Sequence, residues 1–281
     1  MPRQPRPLIL GALAAVALST LGVAAWIGIA PREALTAENP INPPATASPA
    51  PRRLDDGPAF ERCIGLLRQD PESARRFAEA WAREGGGEGA GHCQALALLG
   101  LGETSQAAQR LETLASQSRA ASPARAAVFA QATQAWLLAG QGNRAFAAAT
   151  LALTLAPEDP ELLVDRAVVL GSLSRYGEAI EDLDRALTLD PTRAEALVFR
   201  AAAHRHRDER ALAARDIGLA LSLQADNAEA LLERGIIRQM QGDLAGARAD
   251  WEQVIRLAPT SSTADLAAQN LALNEAGPAR R

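Results

Sequence analysis

"LALTLAPEDP" (151–160), "RALTLDPTRA" (185–194), "LALSLQADNA" (219–228) and "QVIRLAPTSS" (253–262) recur at a constant interval of 34 residues. Each ends at the same point, with Pro157, Pro191, Ala225 and Pro259 in register. A proline there lacks an N–H to continue a helix and ends it. A fixed period of this length marks a chain of stacked supersecondary units, none of which can bury its apolar face alone. Working outward, four segments beginning at 126, 160, 194 and 228 align throughout. Numbered from those starts, position 20 holds Ala145, Ala179, Ala213 and Ala247, and position 8 holds Thr133, Ala167, Ala201 and Gly235. Position 24 holds Ala149, Leu183, Ile217 and Trp251, and position 27 holds Ala152, Ala186, Ala220 and Val254. Small residues at 8 and 20 let two antiparallel helices approach closely, and the large residue at 24 fills the gap toward the next unit.

This pattern resembles the tetratricopeptide repeat family. The resemblance implies an all-α superhelical solenoid of antiparallel helix pairs, with repeats at 126–159, 160–193, 194–227 and 228–261. Helices are expected at 126–139/142–156, 160–173/176–189, 194–207/210–223 and 228–241/244–257. The chain departs from the family at position 4 (Phe129, Leu163, Leu197, Leu231) and position 11 (Trp136, Leu170, His204, Arg238), where the family often has tryptophan and tyrosine. Upstream, 88–125 reads as a fifth, looser unit and 58–87 as a degenerate helix pair, with Asp70 as N-cap and Pro71 at the first helical position. At the other end, 262–281 reads as a capping helix and tail, which closes the stack.

Composition agrees with such a core. Hydrophobic residues make up 48% of the 281, but aromatics only 4%, so the interior is built from small side chains. All 29 basic residues are arginine, and the net charge of −4 argues against a general nucleic-acid binder. No enzyme is read from this chain: no catalytic, cofactor-binding or metal-ligating set stands out. "GGGEGAG" (85–91) lacks the lysine and strand of a phosphate loop and reads as a flexible connector. "HRHRDER" (204–210) places its histidines two apart, badly for sharing a metal on a helix, and reads as a solvated helix–turn junction.

Residues 8–30 form an uncharged run of 23, enough for a helix of roughly 35 Å against a bilayer core of about 30 Å. Arg3 and Arg6 precede it, so residues 1–7 are expected in the cytoplasm and the remainder beyond a bacterial inner membrane, in the periplasm. The length favours an uncleaved signal anchor; a cleaved signal peptide, with Val23-Ala24-Ala25 as processing site, is the competing reading. Residues 31–57, with prolines at 31, 40, 43, 44, 49 and 51, read as a disordered linker.

Two columns switch together. Position 7 is Ala132, Arg166, Arg200 and Arg234, and position 23 is Ala148, Asp182, Asp216 and Asp250. A lone arginine between packed helices is costly and a paired one tolerable, so same-repeat bridges are expected: Arg166–Asp182, Arg200–Asp216 and Arg234–Asp250. Pairing with the preceding repeat's aspartate is the variant geometry.

The resemblance also implies that positions 2, 5, 9 and 12 of the first helices line a groove. Here that set includes Glu161, Val164, Val168, Glu195, Val198, Ala202, Arg205, Glu229, Leu232 and Ile236: an apolar strip with an acidic edge. The family's carboxylate clamp is missing, and a protein or peptide segment with apolar anchors and positive charge fits better. The same residues could instead pack the inner surface. First helices of neighbouring units run side by side in this architecture, so Cys63 and Cys93 are expected to meet as a disulfide in an exported domain; two separate buried thiols are the alternative. The expected function is a membrane-tethered periplasmic interaction scaffold, or an accessory subunit of an envelope biogenesis system such as cytochrome maturation or polysaccharide export.

Overall fold

The computed structural model describes residue 54 and residues 57–276. The tail 1–7, the predicted span 8–30 and all of the linker 31–57 except Leu54 and Gly57 lie outside the described residues. No described helix is long and apolar enough to cross a membrane.

Among the described residues there are thirteen helices and no strand. They run α1 (Pro58–Gln69), α2 (Pro71–Arg83), α3 (Gly87–Gly100), α4 (Thr104–Gln117), α5 (Ser122–Leu138), α6 (Gly142–Leu155), α7 (Pro160–Ser172), α8 (Tyr176–Leu189), α9 (Ala194–His206), α10 (Arg210–Leu223), α11 (Ala228–Met240), α12 (Leu244–Leu257) and α13 (Ser262–Ala276). Each pair packs as a hairpin, and each first helix also touches the first helix of the next pair. Sequence chemistry marks the starts. Asp70 accepts from the N–H groups of Glu72 and Ser73, Asp159 from Glu161, and Asn227 from Ala230, satisfying donors that a helix N-terminus leaves unpaired.

From α3/α4 to α11/α12, the loop inside each pair turns on one left-handed residue: Gly102 (φ 79°), Gly140 (φ 69°), Ser174 (φ 60°), Asp208 (φ 62°) and Gly242 (φ 87°). Glycine adopts this region without strain, whereas serine and aspartate do so at a cost.

Two expectations need correction. "GGGEGAG" is no flexible connector, because α3 begins at Gly87 and buries Gly89 and Ala90. Glu88 anchors its first turn by accepting from Ser118 Oγ (2.6 Å) and the Arg119 N–H (3.3 Å). The glycines serve packing too, since a Cβ on Gly86 would lie 2.6 Å from the Trp81 ring. Further on, α5 starts at Ser122 rather than 126. Pro123 suits a first turn, and Arg125 Nε ties that turn to the Ala115 carbonyl at 2.9 Å.

The core follows the columns. Ala145, Ala179, Ala213 and Ala247 are all buried to within 1%. Trp251, fully buried, donates its indole N–H to the Leu232 carbonyl at 3.3 Å. It fits because position 8 of that repeat is Gly235, where any Cβ would collide with the indole.

The arginines of position 7 each grip their own repeat's aspartate with two parallel bonds. Arg166 reaches Asp182 at 2.7 and 2.7 Å, Arg200 reaches Asp216 at 2.8 and 2.7 Å, and Arg234 reaches Asp250 at 2.9 and 2.7 Å. Arg200 adds a bond of 2.7 Å to Asp184 of the preceding repeat, and Arg238 adds one of 2.7 Å to Asp250. Cys63 in α1 and Cys93 in α3 form a disulfide with Cα atoms 6.1 Å apart.

These cross-links generate two predictions. Asp182→Ala leaves Arg166 without its partner between helices and should cost about 3 kcal/mol. Arg166→Ala with Asp182→Ala reproduces the Ala132/Ala148 pair of the neighbouring repeat, and should cost no more than the single change. A double-mutant cycle in urea checks this, and additive costs would contradict it. For the disulfide, the closed loop spans 30 residues, and reduction should remove about 3–4 kcal/mol from the α1–α3 region. Amide exchange with and without reductant should show lost protection in α1–α3 and little change in α9–α12.

Candidate binding groove

The odd-numbered helices lie side by side and present one inner face. Position 2 supplies its acidic edge: Glu195 and Glu229 are exposed and Glu161 partly so. Glu229 also accepts from Thr263 Oγ1 of the capping helix at 3.2 Å. Desolvation by the surrounding helices raises the Glu195 carboxyl above the ordinary range, with neighbouring Glu161 and Glu229 adding to the effect against Arg193.

Position 5 is not part of an accessible strip. Val164, Val198 and Leu232 are 4%, 8% and 5% exposed and belong to the core. The first helices sit close enough to their neighbours to cover that row. Of the remaining apolar groove positions, Val168 and Ile236 stay partly open and Ala202 lies at the edge of burial. Arg205 also departs from expectation. It is held by the buried carboxylate of Glu233 on the next first helix, so it bridges repeats and is not a free groove cation.

The rest of "HRHRDER" is the solvated junction expected of it, with His206, Arg207, Asp208 and Arg210 exposed and only His204 and Glu209 partly covered. His204 Nδ1 lies 2.6 Å from Glu209 Oε2, and Arg207 Nε donates to the other oxygen of Glu209 at 2.9 Å. The His206 ring stacks on Tyr176 at 4.5 Å. Burial, and secondarily Arg205, lowers its pKa and favours the neutral imidazole. Among the described residues no group of three or more histidine, cysteine, aspartate or glutamate side chains is placed to hold a metal ion.

Position 6 is the column that sequence reasoning missed. Its members are Gln131, Asp165, Phe199 and Glu233, and each meets the first helix of the unit before. Gln131 bonds His92 at 2.6 Å, Glu233 holds Arg205, and Phe199 walls a cavity with residues of α7. Asp165 is different. Its Oδ2 is buried and meets no hydrogen-bond donor. Burial, reinforced by Glu161, Glu195 and Asp159, pushes its carboxyl up to about 8, while Gln134 of α5 opposes the shift. The only sequence signal was an acid at i+4 from Glu161, which reads equally well as a surface pair.

A cavity of about 70 Å³ opens further along α7, between α7, α8 and α9. Val168, Leu183, Phe199 and Ala202 line it, and Tyr176 and His206 flank it. It is too small for a metabolite and roomy enough for a branched aliphatic side chain.

Comparison with known proteins finds no matching family profile and no matching curated protein. Solved structures do match. One is a chain of the APC/C hetero-tetramer Cut9–Hcn1, at TM-score 0.58 and 18% identity, covering 76% of this chain and 42% of that one. Another is TTC0263, a thermophilic TPR protein of Thermus thermophilus, at TM-score 0.56 and 18% identity, covering 67% and 99%. A third is MamA of Desulfovibrio magneticus RS-1, at TM-score 0.48 and 16% identity, covering 69% and 97%. The chain thus spans less than half of the Cut9–Hcn1 chain it matches. The first two likenesses show the fold: a tetratricopeptide-like helical solenoid.

The buried acid makes stability depend on pH. Asp165 has a folded pKa of about 8, above the ordinary value near 4. Its stabilising protonated form is fully present below about pH 4 and is lost as pH rises toward 8. Asp165→Asn keeps the shape and cannot ionise. Its melting temperature should gain on the parent's progressively from pH 5 to pH 8. A constant difference across that range would show that Asp165 does not titrate as described.

Proposed function

We propose that this chain is a non-enzymatic protein-interaction scaffold that holds a segment of a partner protein against the inner face of its solenoid. The observation that carries the reading is the open apolar cavity beside an acidic edge on the first-helix face. Stacked-repeat architectures use this face as an extended binding surface. His204 is engaged in a hydrogen bond with Glu209 and His206 in ring stacking on Tyr176.

We further propose that residues 8–30 anchor the chain in a bacterial inner membrane, with 1–7 cytoplasmic and the helical domain in the periplasm. The uncharged run of 23 residues and the arginines before it support this placement, and the Cys63–Cys93 bridge suits an oxidising compartment. Val23-Ala24-Ala25 supports a second form, a soluble periplasmic protein after cleavage. An accessory role in envelope biogenesis, such as cytochrome maturation or polysaccharide export, is the same scaffold given a particular partner.

The test is site-specific photocrosslinking in membranes. A crosslinker replacing Val168 on the inner face should capture a defined protein, while one at the exposed Leu219 of α10 should not. Capture from Leu219 alone would sink the groove reading. Alkaline carbonate extraction of the same membranes distinguishes the anchored chain, which stays in the pellet, from the cleaved one, which is released.

A further inference from the structure

The inner face between α5 and α9 combines a carboxyl oxygen without a donor and an apolar hole. Glu161, Asp165, Val168 and Ser172 share one side of α7, at spacings of four, three and four residues. Asp165 Oδ2 is buried and unpartnered. Such a group inside a protein carries a desolvation cost that a donor from outside can relieve. Around it stand Glu161 on the same helix, Asp159 at that helix's N-cap, Glu195 on α9 and, as its neutral neighbour, Gln134 on α5. Three of these four are acids, so the donor that suits the place is a cation.

The cavity lies further along the same helix. Its α7 lining runs from Ala167 and Val168 to Gly171 and Ser172, two to seven residues beyond Asp165, so its middle lies about 7 Å along the axis. An extended peptide advances about 3.3 Å per residue and turns every second side chain to the same face, so two side chains separated by two positions span that distance. Gly171 leaves the edge open: a Cβ placed there meets nothing within 4 Å. Arg166 and Arg200 are engaged on Asp182 and Asp216, and Arg205 on Glu233; Arg193, paired with Asp190, offsets part of the charge of Glu195 but is not among the groups acting on Asp165.

We infer that the groove reads an extended partner segment with an arginine or lysine that donates to Asp165 and, two positions away, an aliphatic side chain that enters the cavity between α7 and α9. This rests on the groove reading above and narrows it to a basic–apolar pair at one spacing. The acidic edge at Glu161 and Glu195 attracts the cation, Asp165 fixes its register, and the cavity rejects polar side chains at the second position. The arriving cation favours the ionised carboxylate, so binding at neutral pH displaces the Asp165 proton.

The test uses the full chain in detergent micelles. An array of nonapeptides in a glycine–serine background carries one arginine and one leucine at every spacing from one to six, with glutamate-for-arginine and serine-for-leucine controls. Retention should peak at two and exceed both controls about tenfold. Asp165→Asn should lose the preference for arginine over glutamate and keep the requirement for leucine. Gly171→Leu, whose Cβ meets no neighbour and whose side chain narrows the cavity, should do the reverse. Calorimetry at pH 7 in two buffers of different ionisation enthalpy should find up to about one proton released per peptide bound, and none with Asp165→Asn. Retention independent of spacing, selection of acidic peptides, or an arginine preference that survives Asp165→Asn would overturn the inference. Binding that appears only after Arg52→Ser and Arg53→Ser would name the chain's own linker as occupant, and would equally overturn it. Photocrosslinks from Val168 judge the groove reading separately: if they persist while the array shows no basic–apolar preference, only this inference fails.

Discussion

The close approach of the paired helices across the alanine of position 20 is the constraint on which everything else rests. Ala145, Ala179, Ala213 and Ala247 have almost no exposed surface. Alanine at that contact brings the axes toward the short end of the usual range of about 8–10 Å. The space left is small, and the two columns facing it share it. Thr133 stands with Ala149, Ala167 with Leu183, Ala201 with Ile217 and Gly235 with Trp251. As one column grows, the other shrinks. A core packed as densely as an organic solid tolerates little change in summed volume, and this trade reduces the change.

The same proximity explains the arginine clamps. With the helices so near, a side chain at position 7 reaches position 23 of its own repeat, and the aspartates end 2–4% exposed. A carboxylate that dry needs both oxygens satisfied, and the two parallel bonds of a guanidinium do this better than an ammonium could. Replacing such a pair with apolar residues is often neutral in stability, whereas removing one member is not. The repeat at 126–159 has taken the apolar solution, with Ala132 and Ala148 both fully buried. The clamps are therefore better understood as fixing the register of two alanine-rich helices, which have few large knobs to do so, than as sources of net stability.

The architecture was legible from the sequence because its signals are local and repeated. Prolines and the 34-residue period mark helix ends, and the paired switching of Arg/Ala and Asp/Ala columns betrays contacts across a hairpin. What was not legible depends on how neighbouring units lean on one another. Val164, Val198 and Leu232 are apolar whether they face a ligand or a neighbouring helix, so pattern alone could not assign them to the core. Arg205 looked like a groove cation because its partner, Glu233, lies 28 residues away on another first helix. The start of α3 was hidden for a different reason. Glycines disfavour helices locally, and only the tertiary contacts of Glu88 with Ser118 and Arg119 override that preference. Ser174 and Asp208 likewise occupy turns whose left-handed geometry the sequence signals only where the residue is glycine.

The electrostatic character of the inner face follows from the same packing. On the first helices, Arg166, Arg200, Arg205, Arg234 and Arg238 each have a carboxylate partner within the solenoid. Their charge is neutralised inside the hairpins or between neighbouring units. The position-2 glutamates, Glu161, Glu195 and Glu229, then set the sign of the face. Position 6 decides what each inter-helix contact does with this field. Where it is Glu233 an arginine is recruited, where it is Phe199 charge is excluded and a cavity forms, and where it is Asp165 the acid is held among other acids. An aspartate so placed can avoid the full cost of its charge only by keeping its proton or by finding a cation. Because the repeats differ at this column while sharing the alanine contacts, and three of the four share the clamps, the solenoid can vary what its inner face recognises without disturbing what holds it together.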